Sequence, residues 1–295
     1  MKGAIATDYA IPLITVLLWS GNTVVMRVAV GVIDPETIMA YRWVLAALAL
    51  FPFVFRALWQ HRAAIRQNIG KLAGLGLLGM VLYQGCAYYA AQTTTATNMG
   101  IIASLVPLIT FGFSAILLGD RPGWTTAAGG LLSLVGLSVL IGQGQPLNIL
   151  SGGFHLGDAI MLFGAICYAL YSVMLRRWAV PVPVWPSLYI QILTAILVLV
   201  PLYLITPTLP VTMAAVPIIL YSALPISILA PILWMLAVAR LGANRSSIFM
   251  NLLPIFTAVI ATFALGETLY TYHLIGGLLT LSGVLLAQMT RGRPR

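Results

Sequence analysis

The chain is predicted to be an all-α, polytopic membrane protein of ten transmembrane helices, built from two inverted five-helix repeats. Three observations support this prediction: an apolar composition, regularly spaced apolar runs, and an internal repeat. Of the 295 residues, 61% are hydrophobic and only 7% are charged, and the mean hydropathy is +1.02. Because soluble domains are roughly a quarter charged, this composition excludes a soluble fold.

Ten apolar runs are bounded by charged residues, Gly or Pro. A helix needs roughly 20 apolar residues to cross a bilayer, so ten helices leave only short connections and no room for a separate soluble domain. The first run follows Lys2 as a signal peptide would, but it carries Arg27 and no small-residue cleavage site. We expect it to remain as the first helix. The runs span residues 10–30, 36–58, 71–91, 97–118, 124–141, 157–177, 186–206, 212–238, 246–266 and 271–289.

The distribution of Lys and Arg predicts the orientation, because these residues accumulate in cytoplasmic loops. With the N-terminus inside, thirteen of the 15 Lys and Arg residues fall on the cytoplasmic side, and only Arg27 and Arg42 lie toward the outside. We expect a bacterial inner-membrane protein with both termini in the cytoplasm. The net charge of +9 does not indicate a nucleic-acid partner, since the cations stand singly between apolar runs.

The second half of the chain repeats the first. A polar, Gly-rich stretch at residues 143–153 lies near the midpoint, and a shift of 147 positions aligns ten pairs of identical residues across it. Pro107 then meets Pro254, Gly136 meets Gly283, and the acids Asp120 and Glu267 also coincide. A matched Pro, matched Gly residues and a matched acid in one register indicate a duplication.

The duplication divides the chain into residues 1–145 and 154–295, each a five-helix repeat. Because five is an odd number, the second copy enters the membrane from the opposite side, and the repeats are inverted. Inverted repeats provide two nearly equivalent packings around a site at the membrane midplane, which is the basis of alternating access. We also expect a monomer, because the duplication supplies the inverted partner within one chain.

Several segments carry a family resemblance. They are WSGNTVVMR from Trp19, YRWVLAALALFP from Tyr41, LVPLITFGFSAILLGDR from Leu105 and LLPIFTAVIATFALGE from Leu252, with ALYSVMLRR from Ala169 in the place of the first. Together they resemble the drug/metabolite transporter superfamily of EamA type over nearly the whole chain. Within it the chain looks like the YddG-type inner-membrane exporters of aromatic and other amino acids. The resemblance implies a central cavity between the halves, lined by helices one, three, four, six, eight and nine.

Polar and aromatic residues inside the apolar runs are the candidate substrate-binding residues. A zwitterion that leaves water loses hydrogen bonds worth several kcal/mol, which uncharged dipoles can replace, and aromatic walls suit apolar side chains. Each candidate also has a structural alternative, as an interface anchor, in core packing or in an interhelical hydrogen bond. The candidates are Trp19, Asn22, Tyr83, Gln84, Tyr88, Asn98, Tyr168, Tyr171, Trp234 and Asn251.

Charged residues within the runs are scarce. No Asp or Glu falls in the middle of a run, which disfavours carboxylate-based proton antiport, since buried ionisable groups in membranes are usually functional. Arg42 lies about one and a half turns inside the second helix. It either snorkels outward to Asp34 and Glu36 or binds a substrate carboxylate, and we expect the first.

Proline residues inside the runs are the candidate hinges, because each removes a backbone hydrogen bond and permits a kink. They are Pro107, Pro225, Pro231 and Pro254.

The sequence thus predicts a small-molecule exporter, with amino acids including aromatic ones as the expected substrates and membrane lipids around it. Cysteine and histidine spacing indicates neither a metal site nor a redox pair, and we expect no cofactor and no catalytic residues. Two alternatives remain open. The first is an exporter or exchanger of another metabolite or drug class; one for sugar phosphates or nucleotide sugars would need cations at its site. The second is a membrane-embedded enzyme, which would need His, Asp, Cys or Ser groups in mutual hydrogen-bonding reach.

Overall fold

The computed structural model describes residues 2–119, 124–145, 155–241 and 249–288. Within these ranges the chain is helical and contains no strand. Seven helices are long and apolar enough to cross a membrane, and three further apolar helices are shorter, in agreement with ten spans. They are α1 (Lys2–Val28), α2 (Pro35–Gln60), α3 (Ile69–Ala90), α4 (Ala96–Leu118), α5 (Trp124–Ile141), α6 (Leu156–Trp178), α7 (Val184–Ile205), α8 (Ala215–Tyr221, Ser222–Leu229 and Ala230–Leu241), α9 (Met250–Leu265) and α10 (Thr271–Gln288).

The outer surface of the bundle is apolar. Large apolar side chains stand exposed on several helices, among them Phe53, Ile116, Leu197 and Phe263. Such a surface is unfavourable in water and favourable against lipid tails. A short helix, Arg62–Gln67, joins α2 to α3.

The two halves share irregularities at matched positions. A π-helical segment, Leu77–Leu82, interrupts α3, and a second, Ser222–Leu229, interrupts α8. The two overlap when shifted by 147 residues. Gly119 and Gly266, also 147 apart, end α4 and α9 in the left-handed conformation, with φ of 73° and 67°. That conformation favours glycine because it lacks a Cβ, so the repeated glycines reflect a repeated backbone.

The most extensive helix contacts join one half to the other. α1 packs against α8 and α9, just as α6 packs against α3 and α4. α2 pairs with α7, α4 with α9 and α5 with α10. When the two halves are interchanged, each of the contacts named here maps either onto itself or onto another of them, as expected for inverted repeats. The space between the halves is surrounded by helices from both.

The α5–α10 pair is the closest of these contacts. A Cβ placed on Gly283 would lie 2.4 Å from both the Gly129 carbonyl oxygen and the Ser133 Oγ. The Ser133 hydroxyl donates to the Thr280 carbonyl oxygen at 3.0 Å. Small residues allow helix backbones to approach this closely in membranes, and none of the residues lining the central cavity described below comes from α5 or α10.

Candidate functional site

A cavity of about 130 Å³ lies between the two halves. All six helices implied by the family resemblance contribute to it, through residues such as Trp19 of α1, Tyr83 of α3 and Tyr168 of α6. The implied set is incomplete, however, because α2 contributes Arg42 and α7 contributes Leu188. Packing of α2 against α7 and against the π segment of α8 brings both helices to the cavity wall.

Five of the ten predicted binding residues line this cavity. They are Trp19, Asn22, Tyr83, Gln84 and Tyr168. The rings of Tyr83 and Tyr168 lie 4.6 Å apart between centroids, so α3 and α6 present a joint aromatic wall. Methionines that sequence reasoning missed complete the apolar lining, including Met26, Met99 and Met161; an apolar residue in an apolar helix carries no local signal of facing a cavity.

Three further candidates lie directly behind the wall. Tyr171 stacks on Tyr168, with ring centroids 5.4 Å apart. The ring of Trp234 lies 5.3 Å from that of Trp19. The Tyr88 hydroxyl donates to Ser222 Oγ at 3.2 Å. These residues are placed to orient cavity side chains.

The structure places the remaining two candidates outside the cavity. The Asn98 amide donates to Asp158 Oδ1 at 3.3 Å and to Thr94 Oγ1 at 3.4 Å. Asn251 lies beside a separate apolar groove that includes Phe249. Neither residue lines the central cavity, because helix-face patterns do not show which neighbour covers each face, and a role for them in substrate binding stays a prediction.

The surroundings of Arg42 contradict the sequence expectation. Its side chain is 1% exposed, and it does not snorkel toward the two acids near the start of α2. Asp34 Oδ2 instead accepts from the Leu209 backbone N–H at 2.6 Å, and Glu36 accepts from the Tyr89 hydroxyl. The expectation was wrong because neighbouring helices supply closer oxygens inside the bundle.

Those oxygens come from α3 and α8. Arg42 Nη2 and Nε donate to Ser227 Oγ at 2.9 and 3.3 Å. Nη1 donates to Gln84 Oε1 and to the Tyr88 hydroxyl, both at 3.2 Å. The guanidinium also lies 4.7 Å from the Trp43 ring centroid, a favourable cation–π distance. None of these partners, all of which belong to the described residues, carries a negative charge.

The π segment of α8 positions Ser227. Its hydroxyl donates to the Ser222 carbonyl oxygen, five residues back, at 2.8 Å. Pro225 lies inside this segment and lacks a backbone N–H, which favours the wider turn. The segment thus turns the Ser227 oxygen toward α2.

The predicted hinge residues all lie at interruptions of helix geometry. Pro107 and Pro254 stand at the starts of the segments Val106–Leu118 and Leu253–Leu265, each after an irregular turn. Pro225 lies in the π segment, and Pro231 follows it and lines the cavity. Their role as hinges stays a prediction.

Two acids bond between the halves away from the cavity. Glu267 accepts from the backbone N–H groups of Ala96 and Thr97 at 2.8 and 3.2 Å, so it caps the start of α4, where the helix dipole favours an anion. Asp158, 1% exposed, accepts from the Thr94 hydroxyl at 2.5 Å. Sequence reasoning did not single out Asp158. The other acid of the repeat, Asp120, lies outside the described residues.

The described part of the chain holds no cluster of three His, Cys, Asp or Glu residues suited to a metal ion. Cys86 and Cys167 are free thiols within α3 and α6. The described side chains that line the cavity include aromatic rings, amides, hydroxyls and a guanidinium.

The fold and the cavity together define a class of protein: a multi-pass membrane protein that encloses a small-molecule site between two related halves. Residues 8–142 and 155–289 each match the EamA-like transporter family. The chain belongs to the EamA-like transporter family, and it is a membrane transporter.

Curated relatives match over nearly the whole chain. An uncharacterized transporter, YyaM, of Bacillus subtilis is 27% identical, over 88% of this chain and 87% of that protein. A probable terminal-alkyne amino-acid exporter of Streptantibioticus cattleyicolor is 25% identical, over 96% and 94%. One solved crystal structure matches with a TM-score of 0.65 at 22% identity, covering 96% and 97%, which shows a shared fold.

Proposed function

We propose that this transporter exports small metabolites, most of all amino acids including aromatic ones, by alternating access through the central cavity. The observation that carries the proposal is the composition of the cavity wall. It combines the rings of Trp19, Tyr83 and Tyr168 with the amides of Asn22 and Gln84. One relative named as an amino-acid exporter supports the same substrate class.

The wall suits an amphipathic zwitterion. Aromatic rings offer stacking worth about 0.5–1.5 kcal/mol per pair beyond area burial, and uncharged dipoles replace hydrogen bonds lost on leaving water. Each neutral dipole contributes only a modest amount to the binding free energy. Weak binding matters because a ligand that strongly prefers one conformation shifts the population toward it and stalls the cycle.

The alternatives are less well matched to the wall. A phosphate ester carries up to two charges and is best held by several cations, whereas the side chains lining the cavity include one guanidinium, that of Arg42. A membrane-embedded enzyme would need a nucleophile or base in reach of an orienting partner. The Ser227 hydroxyl bonds Arg42 and the Ser222 carbonyl, neither of which is a base.

The location is proposed with the function. We infer a bacterial inner membrane, with both termini in the cytoplasm, from the Lys and Arg distribution in the sequence. We also infer a monomer, because both halves of the bundle come from one chain. Cysteine accessibility at each terminus in sealed cells tests the first inference, and mass measurement in detergent tests the second.

The test of function uses purified protein in liposomes. Vesicles preloaded with unlabelled phenylalanine or threonine should take up labelled amino acid by saturable counterflow, and protein-free vesicles should not. Chromatography of the released label should return the amino acid unchanged, whereas an enzyme would convert it. Absence of saturable flux for both amino acids, under every imposed gradient, would contradict the proposal.

A further inference from the structure

We infer that Arg42 and Asn22 form a binding site for a zwitterion. In this site the Arg42 guanidinium holds the substrate carboxylate, and the side-chain oxygen Oδ1 of Asn22 accepts a hydrogen bond from the substrate ammonium. This deepens the proposed function, on which it rests, by assigning the recognition of the α-amino-acid group to two residues. It makes the carboxylate an obligatory part of the substrate. Compounds with the shape of the amino acid but without its carboxylate, such as cations and neutral amides, are then poor substrates.

The first observation is a buried cation to which the described residues supply no anion. Arg42 is 1% exposed and lines the cavity, and a guanidinium keeps its charge in proteins. A buried charge is costly unless it is paired. Its described partners, Ser227, Gln84 and Tyr88, are all neutral, so the charge is hydrogen-bonded and left unneutralised.

The protein's own acids are bonded elsewhere. Four acids have described side chains: Asp34, Glu36, Asp158 and Glu267. Each accepts from a group other than Arg42: Leu209, Tyr89, Thr94 and Ala96, respectively. A ligand carboxylate can therefore neutralise Arg42 without competing with these four acids.

The guanidinium presents a suitable edge. Nε and Nη2 both donate to the single Ser227 Oγ, at 3.3 and 2.9 Å. This edge is the one that binds the two oxygens of a carboxylate side by side. Ser227 itself lines the cavity, so a ligand carboxylate can displace or join its hydroxyl and gain two charge-assisted hydrogen bonds.

The second observation is a buried acceptor without a donor. Asn22 Oδ1 is buried and finds no hydrogen-bond partner among the described residues, although Asn22 lines the same cavity. Buried polar atoms are normally paired. The ammonium of an amino acid supplies the missing donor, and the nearby Trp19 ring is a favourable face for a cation. The two unmet groups complement the two ends of one zwitterion.

A ligand series on the wild-type transporter tests the inference directly. Unlabelled phenylalanine, phenylalaninamide, 3-phenylpropionate and inorganic phosphate are compared as competitors of labelled phenylalanine counterflow. We expect phenylalaninamide to compete about 10- to 100-fold more weakly than phenylalanine, because it lacks the carboxylate. 3-Phenylpropionate should fall between them, and phosphate should not compete. Equal competition by phenylalanine and its amide would overturn the inference.

Variants then locate the effect. Arg42→Gln should abolish the preference for phenylalanine over its amide, and Arg42→Lys should keep a reduced preference. Asn22→Leu should weaken competition by phenylalanine more than competition by 3-phenylpropionate, because only phenylalanine carries the ammonium. Arg62→Gln is the matched control, because Arg62 is exposed and lies against the Trp59 ring. An unchanged preference in folded Arg42→Gln protein would also overturn the inference.

The outcomes separate the two proposals. If the wild type carries both phenylalanine and its amide equally well, the zwitterion site fails and the exporter stands. If the wild type carries no amino acid, the exporter fails. The site is then judged by thermal shifts of detergent-purified protein with the same four ligands, where the order of shifts should follow the order of competition.

Discussion

An acidic side chain forms hydrogen bonds between the two halves, although the chain contains few charged residues. Glu267, from the second half, caps α4 of the first half through the N–H groups of Ala96 and Thr97. The Thr97 hydroxyl adds a third bond at 2.7 Å. A carboxylate that accepts three hydrogen bonds at a helix N-terminus stabilises both the helix and the contact between halves.

The Glu267 cap gives a stability prediction. Glu267→Ala should lower the free energy of unfolding by about 1–2 kcal/mol, because the N–H groups of Ala96 and Thr97 lose their acceptor. Thermal unfolding of detergent-purified protein, followed by tryptophan fluorescence, measures the change. Glu36→Gln is the control, because Glu36 accepts from one hydroxyl, that of Tyr89. This variant should lower the free energy of unfolding by less than Glu267→Ala does. Equal losses in both variants would refute the capping role.

The aromatic wall gives a prediction on affinity. Tyr168 stands between Tyr83 and Tyr171, with centroid distances of 4.6 and 5.4 Å. Tyr168→Ala should raise the KM for phenylalanine about 5- to 15-fold, since a lost aromatic contact costs roughly 1–1.5 kcal/mol. Tyr168→Phe keeps the ring and should change it little. A similar KM increase for threonine in the Ala variant would argue against stacking on the substrate.

Helix α8 shows how an irregular element serves the site. Its π segment, Ser222–Leu229, places Ser227 against Arg42 of α2 and leaves the Ser222 hydroxyl to accept from Tyr88 of α3. Its counterpart in α3, Leu77–Leu82, holds Gly79 against the Tyr171 ring of α6. π-Bulges recur at functional sites, and both of these border the cavity.

Helices α5 and α10 carry the next prediction, because their packing depends on glycine. Gly283→Ala should destabilise the protein by about 1–3 kcal/mol, since its Cβ would meet backbone and hydroxyl oxygen at 2.4 Å. Gly112→Ala is the matched control: apart from its chain neighbours and the backbone of its own helix, no atom lies within 4 Å of its added Cβ, and alanine favours a helix by up to about 1 kcal/mol. Thermal midpoints that fall equally, or not at all, would contradict the close approach.

Across the whole bundle, carboxylates join the halves at one end. Asp34 bonds Leu209, Asp158 bonds Thr94, and Glu267 caps the helix that begins at Ala96. Successive helices run through the bundle in opposite directions. All three contacts therefore lie at the end of the bundle where α1, α3 and α5 terminate. In the alternating-access cycle that we propose, this end opens once per cycle, and we expect these bonds to break at that step.

A reversible cross-link tests that requirement. In a background of Cys86→Ser and Cys167→Ser, the pair Thr94→Cys and Asp158→Cys should form a disulfide or accept a short thiol cross-linker. Phenylalanine counterflow should then fall to near the background of empty vesicles, because one of the two access states is blocked. A reductant should restore it, and each single-cysteine variant should be unaffected by oxidation. Full flux through cross-linked protein would contradict alternating access.

Local chemistry alone was enough to predict the spans, the duplication and five of the residues that line the central cavity. Apolar runs of about 20 residues define membrane helices because burial in lipid acts on each segment separately. The duplication is visible because identical residues recur at a fixed distance along the sequence. Trp19, Asn22, Tyr83, Gln84 and Tyr168 could be picked out because polar and aromatic residues are conspicuous in apolar helices, and all five line the cavity.

Tertiary packing determined the rest. Asn98 carries the same sequence signal as Asn22, yet it bonds Asp158 outside the cavity. Arg42 sits near two acids in sequence but is held by Ser227, 185 residues away. The cost of a buried charge depends on which groups surround it, and those groups come from helices that meet only in the folded bundle. Arg42, which we propose as the group that holds the substrate carboxylate, therefore became evident as a buried cation only once α2, α3 and α8 were seen together.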